Sequence, residues 1–294
     1  MKIFWDQHGQ AQWQNLADRG QAPMQQRWTY GAVHRALGGQ VWRAVVTVND
    51  QPVAICQFLG GRKVGPVHVT LASRGPVWLS PCDKQKVFSL IRRSMPGAKP
   101  RARLFTLPQP ARIWRALPLM TPASIAERPL PVTRSDLPGK WRSNLKRATK
   151  FGLTFHRMIC SGADLDRLIT QDRACQTEKS YRALPPDFIQ TWHRIAPQAL
   201  VLVAAREKGR VIAEALFLQH GNSATYFLAH TSPRGRRTAA GPFLMFNAFQ
   251  DLARSGVKTV DLGMIDTVSA PDLARFKLGS GAIVQRLGPT VLAI

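Results

Sequence analysis

The alternation of apolar and polar residues predicts one series of elements twice along the chain. Residues 41–48 (VWRAVVTV) and 53–59 (VAICQFL) are β-branched apolar runs around Asn49-Asp50-Gln51-Pro52, a pattern that predicts a hairpin. A third strand is expected at 66–71. A helix follows Asp83, with Val87, Leu90 and Ile91 at helical spacing, and an extended segment spans 101–107 (RARLFTL). The second half repeats the order with ALVLVAAR at 199–206, a turn at Glu207-Lys208-Gly209, RVIAEALFLQ at 210–219 and SATYFLAH at 223–230. A loop at 231–241 then leads into a helix whose Phe243, Phe246, Phe249 and Leu252 share one face and which Gly256 ends, followed by TVDLG at 259–263. Architecture repeats and residue identity does not. The pattern therefore predicts two α+β domains side by side, with the cleft between them as the default binding site.

Five prolines between residues 117 and 139 suit a linker, which sets the boundary near Thr133 and the domains at 1–133 and 134–294. A length of 294 residues agrees with two domains of common size.

Charge changes the picture most. Lys and Arg number 41 against 17 Asp and Glu, a formal net charge of +24, and both halves are basic. From Lys84 to Ala126 the cations Lys84, Lys86, Arg92, Arg93, Lys99, Arg101, Arg103, Arg112 and Arg115 meet no acidic residue. A surface of this kind attracts phosphate polymers, nucleotides or anionic headgroups. A second basic segment opens the second half: in GKWRSNLKRATKFGL, Lys140, Arg142, Lys146, Arg147 and Lys150 occur without an acid, and on a helix Arg142, Lys146 and Lys150 share a face. Mutual repulsion makes a polyanion the expected partner of that face, against the alternative of an ordinary solvated helix.

Cys56, Cys82, Cys160 and Cys175 show no CxxC or short Cys/His spacing, so no metal site and no disulfide framework are expected. Met1–Asp6 lacks the apolar core of a signal peptide, and no run approaches the ~18 apolar residues of a membrane span. The expected location is the cytoplasm, with peripheral association with anionic lipid compatible with the charge. GxxxxGK[ST], strand-borne GxGxxG, HExxH and GxSxG are all absent, which removes the usual signatures of nucleotide hydrolysis, dinucleotide redox, zinc proteolysis and α/β-hydrolase chemistry.

Arg236-Arg237-Thr238-Ala239-Ala240-Gly241 lies after a strand and before a helix. It resembles the Arg/Gln-x-x-Gly-x-Gly/Ala pyrophosphate loop of the GNAT acyltransferase superfamily, with Ala239 where glycine is usual. Small residues there let backbone N–H groups approach phosphate oxygens at a helix N-terminus.

The chain as a whole resembles the Fem-type aminoacyltransferases and their BioF2-like acetyltransferase relatives. The second half does so through KWRSNLKRATKFGL, the strand end Tyr226–Thr231, Asp261-Leu262-Gly263 and Leu273-Ala274-Arg275-Phe276-Lys277-Leu278-Gly279. The first half does so through Met24-Gln25-Gln26, Trp28-Thr29-Tyr30-Gly31 and Ser73-Arg74-Gly75-Pro76-Val77. It departs from some relatives in lacking a long helical hairpin insertion. The resemblance implies two tandem GNAT-like domains, each a mixed sheet flanked by helices. It also implies a second domain carrying the donor site, with no permanently bound cofactor, and a donor that is aminoacyl-tRNA or an acyl-CoA or acyl-carrier thioester. The acceptor it implies is an amine on a peptide, cell-wall precursor or small molecule. It places Lys277, beside Phe276, near the donor phosphate or the developing oxyanion.

The residues themselves leave the base open. Glu214 interrupts the apolar strand VIAEALF, Asp261 ends a strand, His230 ends another beside the loop, and Asp266 follows close by; transfer through substrate or water is the alternative. Arg74 and Tyr30 are candidates for the acceptor cleft. A further reading of the same charge is a nucleic-acid-binding protein on a transferase scaffold, although no reader motif is present.

Overall fold

A computed structural model describes residues 1–97, 101–179 and 184–293, so Lys99 of the basic run lies outside the described residues. Two compact units divide the chain: Met1–Ala123 with Arg286–Ile294, and Ser124–Gln285.

In the first unit, β1 (Lys2–Trp5), α1 (Gln10–Arg19) and α2 (Trp28–Ala36) precede the expected hairpin of β2 (Gln40–Val48) and β3 (Gln51–Val64). Asn49 and Asp50 turn it with φ of 49° and 59°. Two successive positive-φ residues are what a tight hairpin turn with the twist of its strands requires, and Asn and Asp tolerate that conformation best after glycine. β4 (Val67–Ser73), β5 (Val77–Trp78), α3 (Lys84–Ser94), β6 (Arg101–Thr106) and β7 (Ala116–Met120) follow. Edge-to-face stacking of Phe58 and Phe88 on Phe105, with centroids 5.1 and 5.2 Å apart, fills the core beneath α3.

The second unit contains β8 (Ser124–Pro129), α4 (Gly139–Lys150), β9 (Thr154–Ile159), α5 (Gly162–Lys179) and α6 (Pro186–Ile195). Next come the antiparallel β10 (Leu200–Glu207), β11 (Arg210–His220) and β12 (Ser223–Thr231), then α7 (Pro233–Arg237), α8 (Ala240–Arg254), β13 (Thr259–Met264), α9 (Pro271–Gly279) and β14 (Ile283–Arg286). The final strand, β15 (Thr290–Ala293), belongs to the first unit.

The two sheets have one plan. The first runs β1-β2-β3-β4-β6-β15-β7 with β5 on β3, and the second, read from its far edge, runs β9-β10-β11-β12-β13-β8-β14. In each, a hairpin and an antiparallel strand are followed by one parallel neighbour, and the next position is filled by a strand from elsewhere in the chain.

Four sequence expectations change. The proline-rich stretch is not a linker, because it supplies β7 to one sheet and β8 to the other. Its Pro118 is tolerated because β7 is an edge strand, where a missing N–H interrupts no ladder. The boundary accordingly falls at residues 123 and 124, with the last residues returning to the first unit, and not at 133. The loop at 231–241 contains the short helix α7. Finally, α8 buries Ala240, Leu244, Met245, Ala248, Phe249 and Leu252, while Phe243 and Phe246 are half-buried at the margin of the core. A helix lying on a sheet buries a broad stripe, so spacing alone places its centre only to within a residue or so.

Candidate active site

β12 and β13 are laddered in parallel for only three pairs, Ser223 with Thr259, Ala224 with Val260 and Thr225 with Asp261. Beyond them, β12 pairs with β11 alone, and Met264 of β13 pairs with Ile125 of β8. The matching strands of the first unit, β4 and β6, stay paired through six residues, from His68–Arg101 to Ser73–Thr106. A notch between parallel neighbours is thus a property of the second unit. Asp261 helps to form it: its Oδ1 accepts the N–H of Gly263 at 2.7 Å, holding the chain in the irregularity where Gly263 takes φ of +79°.

After β12 and the short α7, the helix α8 starts in a form suited to an anion. Ser232 caps α7, accepting from Gly235 N–H at 3.1 Å. Of the arginines that follow, Arg234 is taken by Glu207 through contacts of 2.7 and 2.5 Å, whereas Arg236 and Arg237 are exposed and form no ion pair among the described residues. Thr238 is buried and donates to the carbonyl of Arg234. Ala239 has φ of +58° and ψ of 34°, the left-handed conformation that explains why glycine is usual in such a loop. The first ladder bond of α8 runs from Phe243 N–H to Ala239 at 3.2 Å, which leaves the N–H groups of Ala240 and Gly241 ahead of it. Ala239 brings no side-chain cap. At the corresponding helix of the first unit, Asp83 accepts from Lys86 N–H at 3.1 Å, so a carboxylate already occupies the position of an anion.

Aromatic packing ties this helix start to the basic segment. Phe276 lies beside Gly241, where an added Cβ would be 3.4 Å from its ring, and its other neighbour is Trp141, with centroids 5.4 Å apart. Trp141, Leu145 and Ala148 are the buried face of α4. Lys140, Arg142, Lys146, Arg147 and Lys150 are exposed and form no ion pair among the described residues; Arg142 also donates to Leu137 carbonyl at 2.8 Å. Gly279 makes the Trp141 contact feasible, since a Cβ there would overlap the indole nitrogen. Gly279→Ala is expected to cost about 1–3 kcal/mol of stability by displacing that ring, measurable as a lower denaturant midpoint.

Lys277, next to Phe276, is 7% exposed. Its Nζ donates to the Met264 carbonyl at 2.8 Å and lies near Gly263, so the ammonium sits at the end of β13 where the notch opens. Burial pushes its pKa below the ordinary lysine value, and the nearby Asp261 carboxylate offsets part of that shift.

Glu214 and His230 lie elsewhere. They are directly opposite on β11 and β12 and therefore share a sheet face, the one facing α5; Ala213 and Ala215 face the core under α4 and α8. Glu214 is 2% exposed. Arg167 of α5 donates to its Oε1 and also to Asp164 at 2.8 Å, while the buried Glu214 Oε2 has no hydrogen-bond partner. The four candidates for catalysis thus fall into two groups, Lys277 with Asp261 at the notch, and Glu214 with His230 on the α5 face. Asp266 is a turn-former, its Oδ1 accepting from Val268 and Ser269 N–H.

The first unit assembles the segments that hold Tyr30 and Arg74. Gln26 donates to the carbonyls of Gln57 (3.1 Å) and Ser73 (2.9 Å) and accepts from Gln57 N–H (2.7 Å), joining the residue stretches 24–31 and 73–77. Gln57 also accepts from Arg43 Nε at 2.8 Å; Arg43 is buried over the Trp28 ring, and desolvation, reinforced by Arg35, pushes its pKa down to about 10. Burial raises the Tyr30 hydroxyl, and Arg74 takes φ of +53°. Sequence reasoning missed this network. Its one visible sign was the polar Gln57 inside the apolar run VAICQFL.

Comparison with known proteins places the family match in the second unit. The acetyltransferase (GNAT) domain family matches residues 138–277, from just before α4 to Lys277. Among solved structures, FemX superposes with a TM-score of 0.81 at 11% identity over 100% of this chain and 97% of its own. A conserved protein of unknown function from Bacteroides thetaiotaomicron gives 0.57 at 11%, covering all of both chains. A tandem GNAT protein from the clavulanic acid biosynthesis pathway gives 0.50 at 11%, over 99% and 98%. No curated protein matches the sequence. The second unit matches the acetyltransferase (GNAT) domain family over residues 138–277, and the fold of the whole chain is that of the tandem, Fem-type structures.

Proposed function

We propose that the second unit moves an amino acid from aminoacyl-tRNA to an amine acceptor. The observation that carries this reading is the setting of α4: five exposed cations without a carboxylate partner, on a helix whose buried Trp141 packs against Phe276 beside the start of α8. A phosphate chain lying along α4 would lead to the N–H groups of Ala240 and Gly241, next to the notch. In this reading the acceptor nitrogen attacks the ester carbonyl, the C–N bond forms, and the charge developing on the carbonyl oxygen faces Lys277. The C–O bond to the ribose then breaks and the ribose oxygen leaves as the hydroxyl. The proton of the attacking amine passes through substrate or water to the leaving ribose oxygen, because Glu214 and His230 lie on the α5 face, apart from Lys277. Positioning of donor and acceptor can supply roughly 7–11 kcal/mol of the barrier, so few reacting side chains are needed.

One observation favours a second reading, an acyl-CoA donor: Arg236 and Arg237 precede a helix start that has no acidic cap, a setting suited to pyrophosphate. Turnover of bulk aminoacyl-tRNA and of acetyl-CoA with a panel of amines, at about 0.15 M salt to damp non-specific attraction, separates the two. The tRNA reading expects product from aminoacyl-tRNA alone. Under the CoA reading, product forms from acetyl-CoA and Arg236→Ala raises the KM for that donor about tenfold, the loss of one charge-assisted contact.

A further inference from the structure

The first unit carries a surface to which the transfer proposed above assigns no role. β7 is an edge strand, paired with β15 alone, and its side chains are exposed: Leu117 at 52% and Met120 at 66%, with Trp114 just before it at 80%. Large apolar groups in such a row are uncommon on a monomer surface and mark a site of contact. The segment is held in place, since Gln85 of α3 donates to Arg112 carbonyl at 2.6 Å and accepts from Trp114 N–H at 3.0 Å. Beneath it runs an open groove of about 620 Å³, lined by Ile113, Trp114, Ala116, Leu117, Pro289 and Val291, with Arg112 and Arg115 at its side. Lys84 and Arg93 of α3 and the two groove arginines are exposed and form no ion pair among the described residues, while Lys86 is turned to Asp83 at 3.5 Å.

We propose that this face docks on the surface of an anionic phospholipid bilayer, with Trp114, Leu117 and Met120 entering the headgroup and acyl boundary and the cations meeting lipid phosphates. Tryptophan and leucine flanked by arginine are the composition that partitions to such an interface, where apolar burial and attraction to anionic lipid add. Two other occupants fit less well. A nucleic acid would neutralise the cations but leave the apolar row uncovered. A second copy would set like charges against each other, and Pro118, which lacks an N–H, breaks the edge for strand addition.

The full-length protein is tested by flotation with vesicles of phosphatidylcholine containing about a third phosphatidylglycerol, and with phosphatidylcholine alone. Binding is expected to the anionic vesicles, weakened about fivefold for each of Arg112→Gln and Arg115→Gln. The triple variant Trp114→Ser, Leu117→Ser, Met120→Ser is expected to weaken it at least tenfold, with an unchanged circular dichroism spectrum. All substituted side chains are exposed, so folding is not at risk. Absence of binding, or binding equal in the variants and the parent, overturns the proposal. So does a parent that sediments as a dimer and becomes monomeric in the triple variant, which would assign the face to self-association. Loss of bulk tRNA binding without loss of vesicle binding would assign it to nucleic acid.

Discussion

Lys277→Met is expected to lower the rate constant for acyl transfer by about 10²–10³-fold, the usual cost of removing one oxyanion partner, about 2.7–4 kcal/mol. Methionine keeps most of the buried stem and removes only the charge. Because the ammonium is largely desolvated, its loss does not leave a cavity, and the thermal midpoint is expected to stay within a few degrees of the parent. The effect should fall on kcat with KM nearly unchanged, since an interaction that strengthens only as charge develops does not hold the ground state. A raised KM at constant kcat would instead make Lys277 a donor-phosphate ligand, and a large fall in stability would reduce its role to capping Met264. The pH profile provides a second readout. If the charged form is the active one, the rate falls as pH rises through a pKa that burial has moved below the ordinary lysine value, and that alkaline limb is absent in the methionine variant.

Replacing Lys140, Lys146, Arg147 and Lys150 together by glutamine is expected to weaken aminoacyl-tRNA binding by about two orders of magnitude. It should also reduce the dependence of log K on log salt by roughly three to four, about one per phosphate contact removed. Arg142 is left in place because its bond to Leu137 helps to fix the start of α4. The substituted side chains are exposed and unpaired among the described residues, so the melting temperature should not fall, and relief of their mutual repulsion acts in the opposite direction. Saturable tRNA binding that survives the change, with the same salt slope, would remove α4 from the donor path and with it the main support for a tRNA donor.

Much of the architecture was legible from periodicity. The hairpin at Asn49-Asp50 and the strands at 199–230 were visible because local conformation and burial agree there: each strand is one apolar run, and the turn residues suit the turn. The proline-rich stretch was misleading for a physical reason. Proline is compatible both with a linker and with an edge or terminal strand position, and only the partners, β15 for one segment and β13 for the other, decide between them. The candidate site divides in the same way. The loop from Arg236 to Gly241 stood out because it resembles a pyrophosphate loop, with small residues between a strand and a helix start, and Lys277 was marked by resemblance. That Glu214 turns to α5 and not to the notch could not be read from its strand, since alternation tells which residues share a face but not which helix covers it.

Residue order alone determined the repeated series of elements, the basic helix and the anion-suited loop, because these depend on neighbours within a few positions along the chain. The notch between β12 and β13, the position of Trp141 against Phe276 and Gly279, and the separation of Lys277 from Glu214 were decided by the tertiary structure. Each requires contact between residues tens to more than a hundred positions apart, and such contacts are set by which strands pair and where their pairing stops.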